Sequence, residues 1–438
     1  MFIADRHPSV YEVAMKLYTA NHRGLRSHTL ATAKFKSIVI SLRFIAPFRL
    51  GTINQRALLP EILLGATKKY PSRQLLKRKL DGLYGMEIGS QTQKIGMQSV
   101  ISFDLSFVSG NYLPGNPDLL REAFILLREV VFNPKLVKGQ FMNGLFELEK
   151  RNLYEDLEAS YHDKTAYSYL RFTKIMFQNE LFGLSPRGEL DSLPLLSRDQ
   201  LLLEYKSLID SDLREIYVVG DVDPKVVDEL ADQYFSGAPG GDFQYWIDQE
   251  GKKIESLMKV IEYGELNQSR VIIGYRTVVK SDSPLFFPML VLNTILGDGD
   301  QAKLFLSIRE DQGLSYDIQT SYSGNKGVLL VFAGVDKDQE ESVVAQVDDV
   351  IWKMSEDSVT ISDLKIAKEQ LQKGVRESAD SPGSLIDRIF INLHLHGRDV
   401  SVSEIIRKIE DVKVIDVIRA RDTLVKDTIY IFRDGGDE

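Results

Sequence analysis

Residues 80–108 read LDGLYGMEIGSQTQKIGMQSVISFDLSFV, and two runs within them, MEIGSQTQK and MQSVISFDLSFV, alternate polar and apolar side chains on either side of Gly96. A period of two sends one side chain into a core and the next out of it, so the pair predicts two adjacent strands joined by a tight turn. Upstream lie a strand-like run, KSIVISLRF (36–44), and an apolar helix containing ALLPEILLG (57–65). A basic amphipathic helix then ends in LDGLYG, and the long helix PDLLREAFILLREVV (117–131) follows the hairpin. The order is strand, helix, helix, strand, strand, helix.

That order recurs. QSRVIIGYR (268–276) precedes two helical runs, LFFPMLVLNTIL (285–296) and AKLFLSIREDQ (302–312); YDIQTSYS (316–323), KGVLLVFAGV (326–335) and the helix QEESVVAQVDDVIWKM (339–354) complete the set. Leu83 and Leu314 are 231 positions apart, and so are Gly96 and Gly327. A constant offset over a whole supersecondary unit predicts an internal duplication. Between the copies, SGAPGGDFQYWIDQEGKK (236–253) is rich in glycine and charge and reads as a connection between domains. The expected fold is α+β: two similar domains, 1–235 and 255–438, each a largely antiparallel sheet flanked by helices, joined by a linker at 236–254 and facing across a cleft.

Composition narrows the chemistry. The formal charge of −9 argues against nucleic-acid and anionic-membrane partners, whose binding relies on clustered cations. No cysteine occurs, which excludes disulfides, thiolate zinc sites and a cysteine nucleophile. MFIADRHPSVYEV, at the start, is charged where a signal peptide needs an apolar stretch, and no run of about 18 apolar residues appears. A cytoplasmic address is the expectation. His394 and His396 in INLHLHG diverge if helical and read as packed or solvent-facing side chains.

The helix at 57–72, ALLPEILLGATKKYPS, carries one acid, Glu61, among aliphatic residues. On residue chemistry alone Glu61 reads as a solvent-facing or first-turn glutamate favoured by the helix dipole, with Pro60 restricting where the helix begins. Together with VVFNP, FELEKRNLYEDLEASYHDK, GELDSLP, REIYVVGDVD and LGDGDQAKLFLSIREDQGLSYDI, this helix resembles the insulinase/pitrilysin-type metallopeptidase family. The likeness runs from about residue 30 to the C-terminus, and it implies repeated α/β domains closing around a peptide chamber. Its zinc motif, H-x-x-E-H, sets two imidazoles on one helical face with a carboxylate that activates the metal-bound water. Here the frame reads Leu58-Leu59-Pro60-Glu61-Ile62.

By this resemblance the metal histidines fall on Leu58 and Ile62, the general base on Glu61, and the distal acidic ligand on Asp156, with Glu155 as an alternative. Aliphatic side chains offer no lone pair, so the chain is expected to bind no zinc and to be inactive alone. The family also uses an arginine and a tyrosine seven positions apart to reach the substrate carbonyl, and Arg309 and Tyr316 keep that spacing in SIREDQGLSY. Donors aimed at a developing oxyanion suit that role. Read without the resemblance, Arg309 is a helix-terminal cation and Tyr316 opens a strand. MEIGSQTQK matches the family strand that offers its edge to peptides, with Gly89, Ser90, Gln91 and Thr92 along it. The expectation is a metal-free subunit of a heterodimer whose paralogous partner carries the zinc, or else a non-catalytic peptide- or protein-binding pseudo-peptidase.

Overall fold

Alternation along one central strand decides how the first sheet is buried. Ile38, Ile40, Leu42 and Phe44 enter one core, whereas Val39 and Ile45 face another. Both faces are covered, which accounts for the nearly continuous apolar run. The computed structural model describes residues 16–237, 256–310 and 314–435. Most of the expected linker, 238–254, lies outside the described residues.

The first half contains strands β1 (Leu17–His22), β2 (Leu25–Ala31) and β3 (Ser37–Pro47), then helices α1 (Ile53–Gly65) and α2 (Arg73–Asp81). β4 (Glu87–Ile95), β5 (Gln98–Val108) and α3 (Leu119–Phe132) follow, with a short ribbon of β6 (Leu136–Val137) and β7 (Gln140–Phe141). It ends with α4 (Asn143–His162), α5 (Lys164–Met176), α6 (Arg198–Asp210), β8 (Leu213–Gly220) and α7 (Pro224–Phe235). The second half runs β9 (Met258–Gly264), β10 (Ser269–Arg276), α8 (Phe286–Gly297), a π-helical turn Phe305–Glu310, β11 (Ser315–Ser323) and β12 (Val328–Val335). Helices α9 (Glu340–Trp352), α10 (Ile361–Glu377), α11 (Pro382–His396), α12 (Val402–Glu410) and α13 (Val414–Arg421) lead to β13 (Val425–Asp434).

The first sheet has the order β1-β2-β8-β3-β5-β4 and the second β11-β12-β10-β13-β9. Without β1, one order is the other read backwards, pairing β2 with β9, β8 with β13, β3 with β10, β5 with β12 and β4 with β11. Directions match too. β2/β8 and β9/β13 are parallel, and the pairs β3/β8, β3/β5 and β4/β5 are antiparallel like their counterparts. The duplication is therefore one of topology, and the fold is α+β with largely antiparallel sheets. Gly96 and Gly327 sit at equivalent hairpin tips with φ of 57° and 73°, a region that a Cβ disfavours.

Each half lends a helix to the other. α11 lies over the outer face of the first sheet, where Leu385, Ile386, Ile389 and Phe390 bury against Ile45, Val100, Tyr217 and Val219. α5 does the same for the second sheet, with Phe172 and Met176 against Ile272, Leu330, Tyr430 and Phe432. Gly274 of β10 permits that contact, because an added Cβ would stand 2.6 Å from Met176 Sδ and 2.7 Å from Phe172 Cζ.

Polar groups fix both seams. On the first, Glu215 Oε2 lies 2.7 Å from His394 Nε2 and accepts from Tyr217 Oη at 2.6 Å. Burial alone would raise this carboxyl, but the His394 hydrogen bond and charge, aided by His28 and Tyr217, hold it at about 2. His28 stacks on Tyr217 with ring centroids 4.7 Å apart, and burial pushes it down to about 4 against the opposing pull of Glu215. On the second seam, Arg276 donates from Nη2 to Glu180 Oε1 at 2.7 Å and from Nε to Asp427 Oδ2 at 2.5 Å.

Candidate functional site

α1 is the floor of the candidate site, and its shape is set by a proline in an unusual place. The helix begins at Ile53 and passes straight through Pro60, so the proline does not mark its start as expected. A proline has no N–H for the carbonyl four residues back, here that of Arg56. Thr92 of β4 fills the gap, donating from Oγ1 to Arg56 O at 3.1 Å. The missing helical bond thus becomes a tie between α1 and β4. Below it the Arg56 side chain is buried and donates to Ser99 Oγ at 2.7 Å and Glu204 Oε1 at 3.0 Å. Asp212 Oδ2 is 2.9 Å from Arg56 Nη1, an ion pair outside hydrogen-bond geometry, and burial pushes its carboxyl up to about 6 against the pull of Arg56.

Leu58 and Ile62 are 0% and 1% exposed and belong to the first core, with Leu59 and Leu63 beside them. Glu61 points the other way, its side chain 45% exposed. It lies in the second half of α1, away from the first turn, so the helix dipole does not account for it. Its partner is Arg73, whose Nη2 donates to Glu61 Oε2 at 2.7 Å. The same nitrogen lies 3.1 Å from Oε1 of Glu149, a nearly buried acid on α4. Asn152 Nδ2 donates to the other Glu149 oxygen at 3.0 Å, and Ser90 Oγ of β4 reaches Glu61 Oε1 at 3.5 Å. Asp156, two helical turns beyond Glu149, is exposed on α4, and Glu155 pairs weakly with Arg151 at 3.8 Å.

These residues do not fit a zinc ion. Two of the positions are aliphatic and sealed in the core, and the acid that remains is held by a guanidinium. Among the described residues, no three histidine, aspartate or glutamate side chains converge as a metal site.

β4 forms one edge of its sheet and, among the described strands, pairs with β5 alone. Gly89 and Gln91 are exposed, while Ser90 and Thr92 turn toward α1. A Cβ added at Gly89 would meet nothing within 4 Å. At the far end Lys94 donates to the carbonyls of Phe182 and Leu184, and burial, then the charge of Lys326, lowers its amine to about 8. An open cavity of about 520 Å³ at the near end is lined by Lys34, Lys36, Glu87 and Phe107 among others.

Arg309 and Tyr316 occupy the corresponding region of the second half. The run expected as an α-helix forms a π-helical turn at Phe305–Glu310, a rare geometry often found at functional positions. Arg309 is exposed there, its guanidinium 4.7 Å from the Phe305 ring centroid. Tyr316 is the extra residue of a β-bulge, since Ser315 pairs with Val335 and Asp317 with Gly334. Its side chain lies outside the described residues. Sequence reading missed Arg73, Glu149 and Lys94. For Glu149 a signal existed, because it stands seven residues before Asp156 and so on the same helical face.

Residues 196–371 match the family model described as "Peptidase M16 inactive domain". The chain is 29% identical over 414 residues to the "Probable inactive metalloprotease YmfF" of Bacillus subtilis (strain 168), covering 94% of this chain and 97% of that one. An "Uncharacterized zinc protease YmxG" of the same organism is 21% identical over 61% of this chain and 64% of its own length. Among solved structures, a conserved protein from Enterococcus faecalis V583 superposes with a TM-score of 0.90 at 23% identity, covering 96% of this chain and 99% of that one. A peptidase M16 inactive domain from Pseudomonas fluorescens superposes at 0.77 with 16% identity, over 97% and 99% of the two chains.

Proposed function

We propose that this chain, a zinc-less member of the insulinase-like M16 metallopeptidase family, acts as the non-zinc-binding subunit of a heteromeric zinc peptidase. The carrying observation is a contrast: Leu58 and Ile62 are sealed in the core, whereas Arg309 stays exposed on a π-helical turn. In this reading residues 1–235 and 255–438 are the two peptidase-like units, and 236–254 connects them. β4 takes a peptide along its outer edge, alternate residues of the run Gly89, Ser90, Gln91 and Thr92 supplying the backbone hydrogen bonds while the others stay paired with β5. Arg309 and Tyr316 reach into the site of a zinc-bearing paralogue, where a guanidinium and a phenol stabilise the oxyanion of the attacked carbonyl. The complex works in the cytoplasm.

The test is reconstitution with a paralogue that carries H-x-x-E-H. Peptide hydrolysis is expected only from the mixture with zinc, and Arg309→Ala or Tyr316→Phe is expected to lower kcat by about 100-fold with assembly intact on size exclusion. Turnover unchanged in both variants would sink the proposal. The open space around Gly89, on an edge that no described strand pairs, favours a second reading, a pseudo-peptidase that holds peptides as a scaffold in a modification or processing complex. That reading expects peptide binding, weakened by proline substitutions in the peptide, and no hydrolysis in any mixture.

A further inference from the structure

Arg73 is the first residue of α2, where the helix dipole disfavours a cation. Three helices nonetheless meet at its guanidinium. Its Nη2 is 2.7 Å from Glu61 Oε2 on α1 and 3.1 Å from Glu149 Oε1 on α4, and it also donates to the Glu61 carbonyl at 3.3 Å. Glu149 is the informative member. Its side chain is only 5% exposed, and a carboxylate taken that far from water must be met by a cation or by several donors. Asn152 supplies one donor, and Arg73 supplies the charge.

We propose that Arg73 is a tethered substitute for a metal ion, neutralising Glu61 and Glu149 together and closing that acid pair to divalent cations. The missing imidazoles explain why the frame has lost its zinc ligands; they leave open why two acids from different helices remain side by side. A guanidinium answers that. It is permanently charged, presents a fork of donors, and cannot exchange with solvent as an ion does. Arg73, Glu61 and Glu149 all belong to this chain, so the substitution needs no partner subunit.

Thermal melts in EDTA and in rising zinc chloride test it. Arg73→Met keeps the aliphatic stem and removes the charge, Arg73→Lys keeps a charge, and Arg73→Met with Glu149→Gln removes one acid as well. In EDTA, Arg73→Met is expected to melt below the parent. Zinc should raise its Tm by about 2 °C or more at tenfold above the titration midpoint, because an ion that binds only the folded form stabilises it by mass action. The parent and Arg73→Lys should shift less, and the double variant should lose the extra response. If Arg73→Met is insoluble without metal, zinc during refolding should restore soluble yield. A parent that responds to zinc as strongly as Arg73→Met overturns the proposal, as does an Arg73→Met protein with neither a Tm response nor a rescue.

Discussion

The two halves share one topology and treat the same region in opposite ways. In the first, the helix–helix–edge strand unit of α1, α2 and β4 is bound inward: Pro60 hands the Arg56 carbonyl to Thr92, and Arg73 closes over Glu61 and Glu149. In the second, α8 carries Pro288 in its first turn, where a missing N–H costs no helical bond. A π-helical turn replaces α2, and a bulge interrupts β11. The first copy is held together by side-chain contacts between its helices and its edge strand. The other keeps an irregular backbone and an exposed arginine, features that packing alone does not require. The copies differ where the unit's second helix meets its edge strand.

The contrast can be broken at the exchanged helices first, where the effect is largest. Gly274→Val pushes a side chain into Met176 and Phe172 and is expected to destabilise by about 3 kcal/mol, read by urea unfolding. If the halves form one cooperative unit, probes in both should report a single shifted midpoint. Two separated transitions would show that α5 and α11 are dispensable.

Nearly as large an effect is expected from pH. His28 sits at about 4 in the folded chain against its ordinary 6.5, so it contributes stability above pH 6.5 that is lost as pH falls toward 4. At 1.36 kcal/mol per tenfold change in proton affinity, the loss is about 3 kcal/mol. Asp212 works in the opposite sense: raised to about 6, it favours the fold at low pH and loses that contribution as pH climbs through 6. The two nearly cancel in the parent. The measurement is therefore the difference between parent and His28→Phe, which should change by that amount between pH 6.5 and 4. A difference curve flat across this window would mean that His28 titrates as if in water. Glu215, held at about 2, stays charged throughout.

The smallest effect sharpens the comparison most. Thr92→Val leaves the Arg56 carbonyl without its donor and should cost about 1 kcal/mol, with earlier amide exchange along β4 than along β11. Equal exchange at both edges would make the proline tie incidental.

Much of this fold was legible in the sequence because its signals are local. Alternation around Gly96 and Gly327 marks two hairpins, and their shared offset exposes the duplication without any long-range contact. The aliphatic character of Leu58 and Ile62 was legible for the same reason. What could not be read depends on distant segments meeting. Glu61 reads as an isolated surface acid because its partners come from another helix and a strand, Arg73 and Ser90, 12 and 29 positions further on. The expectation that Pro60 limits the helix start failed because a strand hydroxyl supplies what the helix lacks. Nothing in the apolar spacing of α5 or α11 says which sheet each will cover, since either would bury the same surface.

The lending of α11 also fixes an order of events during synthesis. The first sheet can pair its strands once residue 220 has left the ribosome, yet Ile45, Val100, Tyr217 and Val219 stay wet on its outer face until residues 382–396 emerge. Through more than 150 further residues of elongation the nascent chain carries a bare apolar sheet face, the kind of surface that chaperones shield and that aggregation exploits. A chain released short of that helix would be left with its first half assembled and unsheathed.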